Sequence, residues 1–334
     1  MPLFYFYETV KAPIRRRFST TPAPPCKNYL LRLTPEIHYF SPMGYAFNRE
    51  SVSGILYQVL VSNTQEKGQQ WVSDKLRNWQ EQNSMQAFNL AFTAAPRFLG
   101  RGTVNVTAEQ AVALQPFQLE GYTVDRLFRV WWLMQLPPAD QKTYSPAIEN
   151  LFHAAEMNEL VALYGALPLL AFPESWKMRT AEGIRSNIGG VLEAIMLHNP
   201  YPAQYLDEPA WNQLIMKAFF TEKAVQHIAG MDERANASLA RILTDFAHER
   251  WAAGRTVHPL IWRMVAPFIH AGNFEDIERI WFSEQHAERE AAALTCAASA
   301  YQPAKDLLET RKEMKEDISA GKLTWHTVAS RVNG

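Results

Sequence analysis

The segment "TDFAHERW" (residues 244–251) sets Asp245, His248 and Glu249 at i, i+3 and i+4. On a helix these share one face, where two carboxylates and an imidazole could hold a cation. One helical turn supplies only part of a coordination sphere. The zinc-hydrolase pattern HExxH also fails, because Ala252 stands where the second histidine belongs. No Glu-x-x-His occurs in the chain, so the paired motif of di-iron bundles is missing. The plainer reading is a solvated face that pairs with Arg241 and Arg250. Neither a metal nor a cofactor is expected.

A second group lies in "RTAEGIRSNIGGVLEAI", where Glu182 and Arg185 can pair at i, i+3, and where Asn187 and Glu193 interrupt an apolar series. Buried carboxylate and amide groups beside an arginine can position a polar ligand. Such groups also tie helices together. The third group is "HNPYPAQYLDEPAWNQLIMKAFF", residues 198–220, with Asn199, Tyr201, Tyr205, Trp211 and Asn212 gathered around three prolines. Asn199–Pro200 should end a helix, since a residue before proline avoids the α region. Asp207 then stands where an N-cap belongs. A corner accounts for the prolines and Asp207, and the aromatic and amide groups are also candidates for lining a binding groove.

The motifs of common catalytic machinery are missing. "GRGTVN" lacks the third glycine and the Lys–Ser of a phosphate loop, and there is no GxSxG elbow. Cys26 and Cys296 form no nucleophile constellation with histidine and no CxxC pair. No residue is therefore assigned a catalytic role, and His248, Glu249 and the 182–193 group stand as ligand-binding candidates.

These side chains must be positioned by helices. From Ser51 onward apolar residues recur at helical spacing, and the punctuation is regular. "TVDRLFRVWWLMQL" reads as a buried helix opened by Thr123 and closed by Pro137 and Pro138. "SMQAFNLAFTAAPRFLG" reads as a helix stopped by Pro96 and Gly100. "TVNVT" is a linker before a helix capped by Thr107. Further helices are expected near 140–155, 156–171, 174–198, 207–221, 233–252, 257–270, 273–283, 286–298, 301–319 and 324–332. Short connections between them predict an all-α fold of antiparallel helix pairs, either solenoid-like (HEAT-like) or an irregular helical bundle.

Composition agrees with a globular protein. Of 334 residues, 47% are hydrophobic and 20% charged, and the formal net charge is −1. That balance argues against nucleic acid or an anionic membrane surface as a partner of the whole protein. No apolar run approaches the roughly 18 to 20 residues of a transmembrane helix; "VWWLMQL" is too short and is flanked by Arg129. Two distant cysteines favour a reducing compartment. Residues 1–45 mix aromatics, a triple arginine and prolines without helical periodicity. They read as a poorly ordered basic extension, dispensable for folding, ahead of a single all-α domain at 46–334.

The strings "ELVALYGALPLLAFPESW", "RTAEGIRSN", "EAIMLHNPYPAQYLDEPAWNQLIMKAFF" and "DERANASLARILTDFAHERWAAGRTVHPLIWR" resemble the EboA family, over roughly Ala87 to Leu308. In that family the protein is encoded beside a prenyltransferase-like membrane protein, a TatD-like hydrolase and a sugar-phosphate-cyclase-like enzyme. The resemblance implies a cytoplasmic accessory protein of secondary metabolism, non-catalytic, that binds a small polar metabolite or adapts those proteins to one another. The alternative is an enzyme using acid–base groups of the 182–193 and 245–249 clusters on a polar intermediate. The family brings no catalytic residues to carry over.

Overall fold

The computed structural model describes residues 47–332. The extension at 1–45 lies outside the described residues. Among these there are eighteen α-helices and no strand, only isolated bridges pairing Thr103 with Thr123 and Leu197 with Ile228.

The first half comprises α1 (Arg49–Ser62), α2 (Glu66–Gln82), α3 (Met85–Leu99), α4 (Ala108–Leu114), α5 (Val124–Leu133), α6 (Gln141–Ala154) and α7 (Met157–Gly165). Helix α5 is its axis and packs on α1, α3 and α7. Its sequence explains this, since residues from Val124 to Leu133 are buried nearly all round. Trp132 stacks on Phe88 and Phe128 and donates its indole N–H to the Phe88 carbonyl at 3.1 Å. Thr107 closes a capping box with Gln110, as the residue types at that helix start require.

Pro96 does not stop α3. The helix runs through it to Leu99 and ends at Gly100, whose φ of +74° suits the missing side chain. A proline at position 96 cannot donate to the carbonyl of residue 92. The Nε–H of Arg129 reaches that carbonyl instead, at 3.0 Å. Arg129 is therefore no hydrophilic flank. It is fully buried, with Nη1 2.7 Å from Asp125 and Nη2 3.9 Å from Glu159.

The second half continues with α8 (Lys177–Ile184), α9 (Gly189–Met196), α10 (Tyr201–Tyr205), α11 (Glu208–Phe220), α12 (Ala237–Ala252) and α13 (Ile261–Val265). It closes with α14 (Phe274–Trp281), α15 (His286–Ala298), α16 (Gln302–Glu309), α17 (Lys312–Ser319) and α18 (Trp325–Val332). The single helix expected near 174–198 is broken into α8 and α9, because Ser186 turns back to accept the Ile188 N–H and two glycines follow. The span near 257–270 is likewise cut to α13 and a 3-10 turn at Ala266–Phe268, where Pro267 intervenes. The span 301–319 divides at Thr310, whose hydroxyl bonds back to the Leu307 carbonyl.

Helix α15 packs on α13, α14, α16, α17 and α18. Its run of alanines explains how so many neighbours fit, since Ala291, Ala292 and Ala293 are all fully buried. In a solenoid each repeat touches only its sequence neighbours. Hubs at α5 and α15, with helices from 5 to 17 residues long, make this an irregular helical bundle. Its buried apolar residues form one contiguous core.

Candidate ligand pocket

The proline-rich corner is built from hydrogen bonds internal to the protein. Asn199 donates to the carbonyls of Tyr164 and Ala194 and accepts from the Tyr201 N–H. All of its amide capacity toward the backbone is spent on turning the chain. Asp207 caps α11 through the Ala210 N–H. Tyr201 stacks on Tyr205 and donates its hydroxyl to the Pro173 carbonyl. Trp211 is fully buried beneath the guanidinium of Arg234, which donates to the carbonyls of Ala203 and Leu206.

Asn212 is 5% exposed and forms a reciprocal amide pair with Asn236, the N-cap of α12. It also lines an open groove of about 380 Å³ between α11 and α12, with Glu208, Gln213, Met216, Ser238 and Ile242. The groove wall is mainly apolar, and the amide of Asn212 is already engaged.

The other candidates lie apart. Glu182 pairs with Arg179, not with Arg185 as spacing suggested; Arg179 also binds Glu149 across to α6. Arg185 ends α8 and is exposed. Asn187 and Glu193 are exposed, not buried, and accept from Lys217 and Lys223. His248 places Nε2 2.7 Å from Asp276 of α14. Glu249 and Asp245 face solvent. Among the described residues no group of three or more His, Cys, Asp or Glu has the geometry to hold a metal ion. None of Glu182, Arg185, His248 and Glu249 lines either pocket described here.

Polar groups do converge elsewhere, in a pocket of about 240 Å³ where the loop before α5 meets the ends of α7 and α9. Gln118, Glu120, Tyr122 and Arg126 come from the α4–α5 loop and α5, Gly165 from α7, and Glu193, His198 and Asn199 from α9 and the corner. His198 has φ +54°, a left-handed conformation costly for a non-glycine residue. The bridge between Leu197 and Ile228 and the bond from the His198 N–H to the His227 carbonyl hold it there. The ring is thereby aimed at Gln118, with Nδ1 2.7 Å from Oε1, while Nε2 lies 3.4 Å from the Glu120 carboxylate. The His227 ring stands 4.5 Å away.

Burial and the neighbouring His227 hold His198 below its usual range, with Glu120 pulling weakly the other way. Burial does the same to His258, against a small opposite pull from Glu222. Tyr122 is pushed up by burial, and the charge of Arg126 offsets part of that rise, so the phenol keeps its proton at neutral pH. The two histidines predict a pH dependence. Each binds its proton more tightly in the unfolded chain, so their contribution to stability is present above the ordinary value of 6.5 and is lost as pH falls through the depressed native values. The urea midpoint is expected to drop between pH 7.5 and 5.5, and His198→Gln with His258→Gln should flatten that slope. An unchanged slope would refute the assignment.

Gln118, Glu120, Tyr122, Arg126 and His198 were not singled out from sequence. Of the residues singled out from sequence, Glu193 and Asn199 do line this pocket.

No curated protein and no solved structure was found to match the chain. A family model does match, over residues 52–266, and its description is metabolite traffic protein EboA. The match starts ahead of the recognisable strings and ends before α14, so it takes in both hub helix α5 and the whole pocket. It covers more than half of the chain, and the protein belongs to the EboA family.

Proposed function

We propose that this protein is a non-catalytic accessory protein of metabolite traffic that binds a small polar metabolite in the pocket between Gln118, Arg126 and His198. The carrying observation is the strained His198 backbone, which aims an imidazole into a pocket where an arginine, a phenol and two carboxylates already face. Strain of this kind persists where the surrounding structure enforces it, and it clusters at binding sites. The family description supports the metabolite side of the reading. In this reading the protein works in the cytoplasm, within a secondary-metabolite gene cluster, beside the prenyltransferase-like, TatD-like and cyclase-like proteins. No described helix is long and apolar enough to cross a membrane. The enzyme alternative receives less support, because Glu182 and His248 are engaged with Arg179 and Asp276 away from the pocket.

Native mass spectrometry of the full chain, purified together with the products of the neighbouring genes, tests the proposal. The expected result is a mass excess that disappears on denaturation and is identified as one small molecule. Replacing His198 by alanine should reduce its occupancy. A chain that retains no small molecule, and takes none up from cell extract, would refute the reading.

A further inference from the structure

The pocket contains a cation, Arg126, that has no carboxylate partner among the described residues and whose Nε–H has no acceptor there. Arg126 leans over the Tyr122 ring, with its guanidinium carbon 3.8 Å from the ring centroid. Its Nε–H is sealed from solvent and has no acceptor among the described residues. One turn away on the same helix, Arg129 is bonded to Asp125 and to the Phe92 carbonyl. The two carboxylates that share the pocket with Arg126 are each next to another cation or imidazole: Glu193 lies 2.6 Å from Lys223, and Glu120 lies beside His198. Arg126 makes no ion pair with a described residue.

Gly165 explains how the guanidinium reaches this position. A Cβ there would come within 2.7 Å of Arg126 Nη2 and 2.8 Å of the Tyr122 hydroxyl. The bare backbone at the end of α7 leaves both polar heads pointing into one space. A guanidinium carries five donors in a planar fork that matches two oxygens of one acidic group. A buried donor left unbonded is costly, and an acceptor arriving from outside removes that cost.

We propose that Arg126 is the recognition group for an oxyanion, a carboxylate or a phosphate, carried by the metabolite. The oxyanion accepts from the guanidinium fork, the Tyr122 hydroxyl turns to it from its long 3.4 Å bond to the Gly165 carbonyl as the second donor, and the missing side chain of Gly165 keeps the approach open. At about 240 Å³ the pocket lies below the roughly 300–1,000 Å³ of sites that enclose a whole drug-sized ligand. It therefore takes the acidic end of the molecule. Gln118 and His198 on the opposite wall meet its hydroxyl or carbonyl groups. This inference rests on the binding role proposed above and adds the chemical class.

The test is titration calorimetry of the full chain with inorganic phosphate and, separately, with succinate, at matched ionic strength. One of the two is expected to bind saturably, and which one binds distinguishes phosphate from carboxylate recognition. Loss of a charge-assisted bidentate contact predicts that Arg126→Gln weakens binding by about ten- to a hundredfold. Gly165→Ala should weaken it too, and Arg126→Lys should fall between wild type and Arg126→Gln. Folding of each variant is checked by circular dichroism, and Glu313→Gln, exposed on α17 and outside the pocket, serves as a folded control that retains binding.

Equal affinity of Arg126→Gln and wild type would overturn the proposal. So would a retained molecule without an acidic group, or binding of ethanolamine in place of both anions. Those outcomes leave the metabolite-binding role standing. Absence of any retained molecule together with failure of all three probes would remove both.

Discussion

Arg129→Ala is expected to destabilise the protein by about 3–5 kcal/mol, the range for breaking a buried ion pair by removing one partner. Arg129 is fully buried, and Asp125 and Glu159 are 2% and 4% exposed, so neither carboxylate can recover water once the guanidinium is gone. The substitution also removes the N–H donor from the Phe92 carbonyl, which Pro96 cannot replace. Three helices feel the loss, because Phe92 lies on α3, Asp125 and Arg129 on α5, and Glu159 on α7. Glu159→Gln should cost far less. At 3.9 Å from Nη2 that carboxylate makes no hydrogen bond to the arginine, and a glutamine oxygen can still accept the Glu156 N–H in the capping box. Urea unfolding of both variants would check the pair. A midpoint for Arg129→Ala within about 1 kcal/mol of wild type would mean that the buried network does not hold α3, α5 and α7 together.

Trp211→Ala should cost about 3–5 kcal/mol through lost burial and the cavity left behind. The indole is fully buried at the point where α10, α11 and the segment before α12 meet, and Arg234 lies across its face 5.2 Å from the centroid. Removing it undermines the seat of the guanidinium that staples the Ala203 and Leu206 carbonyls. Tyr205, 9% exposed at the edge of the same cluster, should cost about 3 kcal/mol on the same grounds. Asn212→Ala separates the corner from the groove. Its partner Asn236 would keep a half-satisfied amide, a penalty of about 1–3 kcal/mol. Parallel loss of melting temperature and ligand uptake in Asn212→Ala would mark the residue as part of the corner. Loss of uptake alone, with stability intact, would assign it to the groove between α11 and α12.

Much of the fold was legible because it is set by neighbours in the chain. The all-helical class follows from apolar spacing near 3.6 residues, and α5 from an apolar-rich run between Thr123 and two prolines. Thr107 and Asp207 cap helices because each bonds an N–H three residues ahead. Asn199–Pro200 turns the chain for an equally local reason. Pro96 shows the limit. A proline near a helix end reads as a stop, and what keeps the helix going is an arginine 33 positions later.

The pocket is a product of tertiary structure. Its walls come from 118–126, 165 and 193–199, and nothing in those three segments taken singly announces a common site. In "VDRLFRV" two arginines sit three residues apart on one helix, Arg129 with Asp125 one turn before it and Arg126 with no carboxylate at that spacing. Helical spacing sets Arg129 four residues after Asp125 and Arg126 four after Tyr122, and packing then adds the Phe92 carbonyl to the first and the bare Gly165 backbone to the second. The periodicity of a helix determines which side chains share a face. Whether a charge on that face finds a counter-charge depends on which neighbour is brought against it, and only the folded chain determines that.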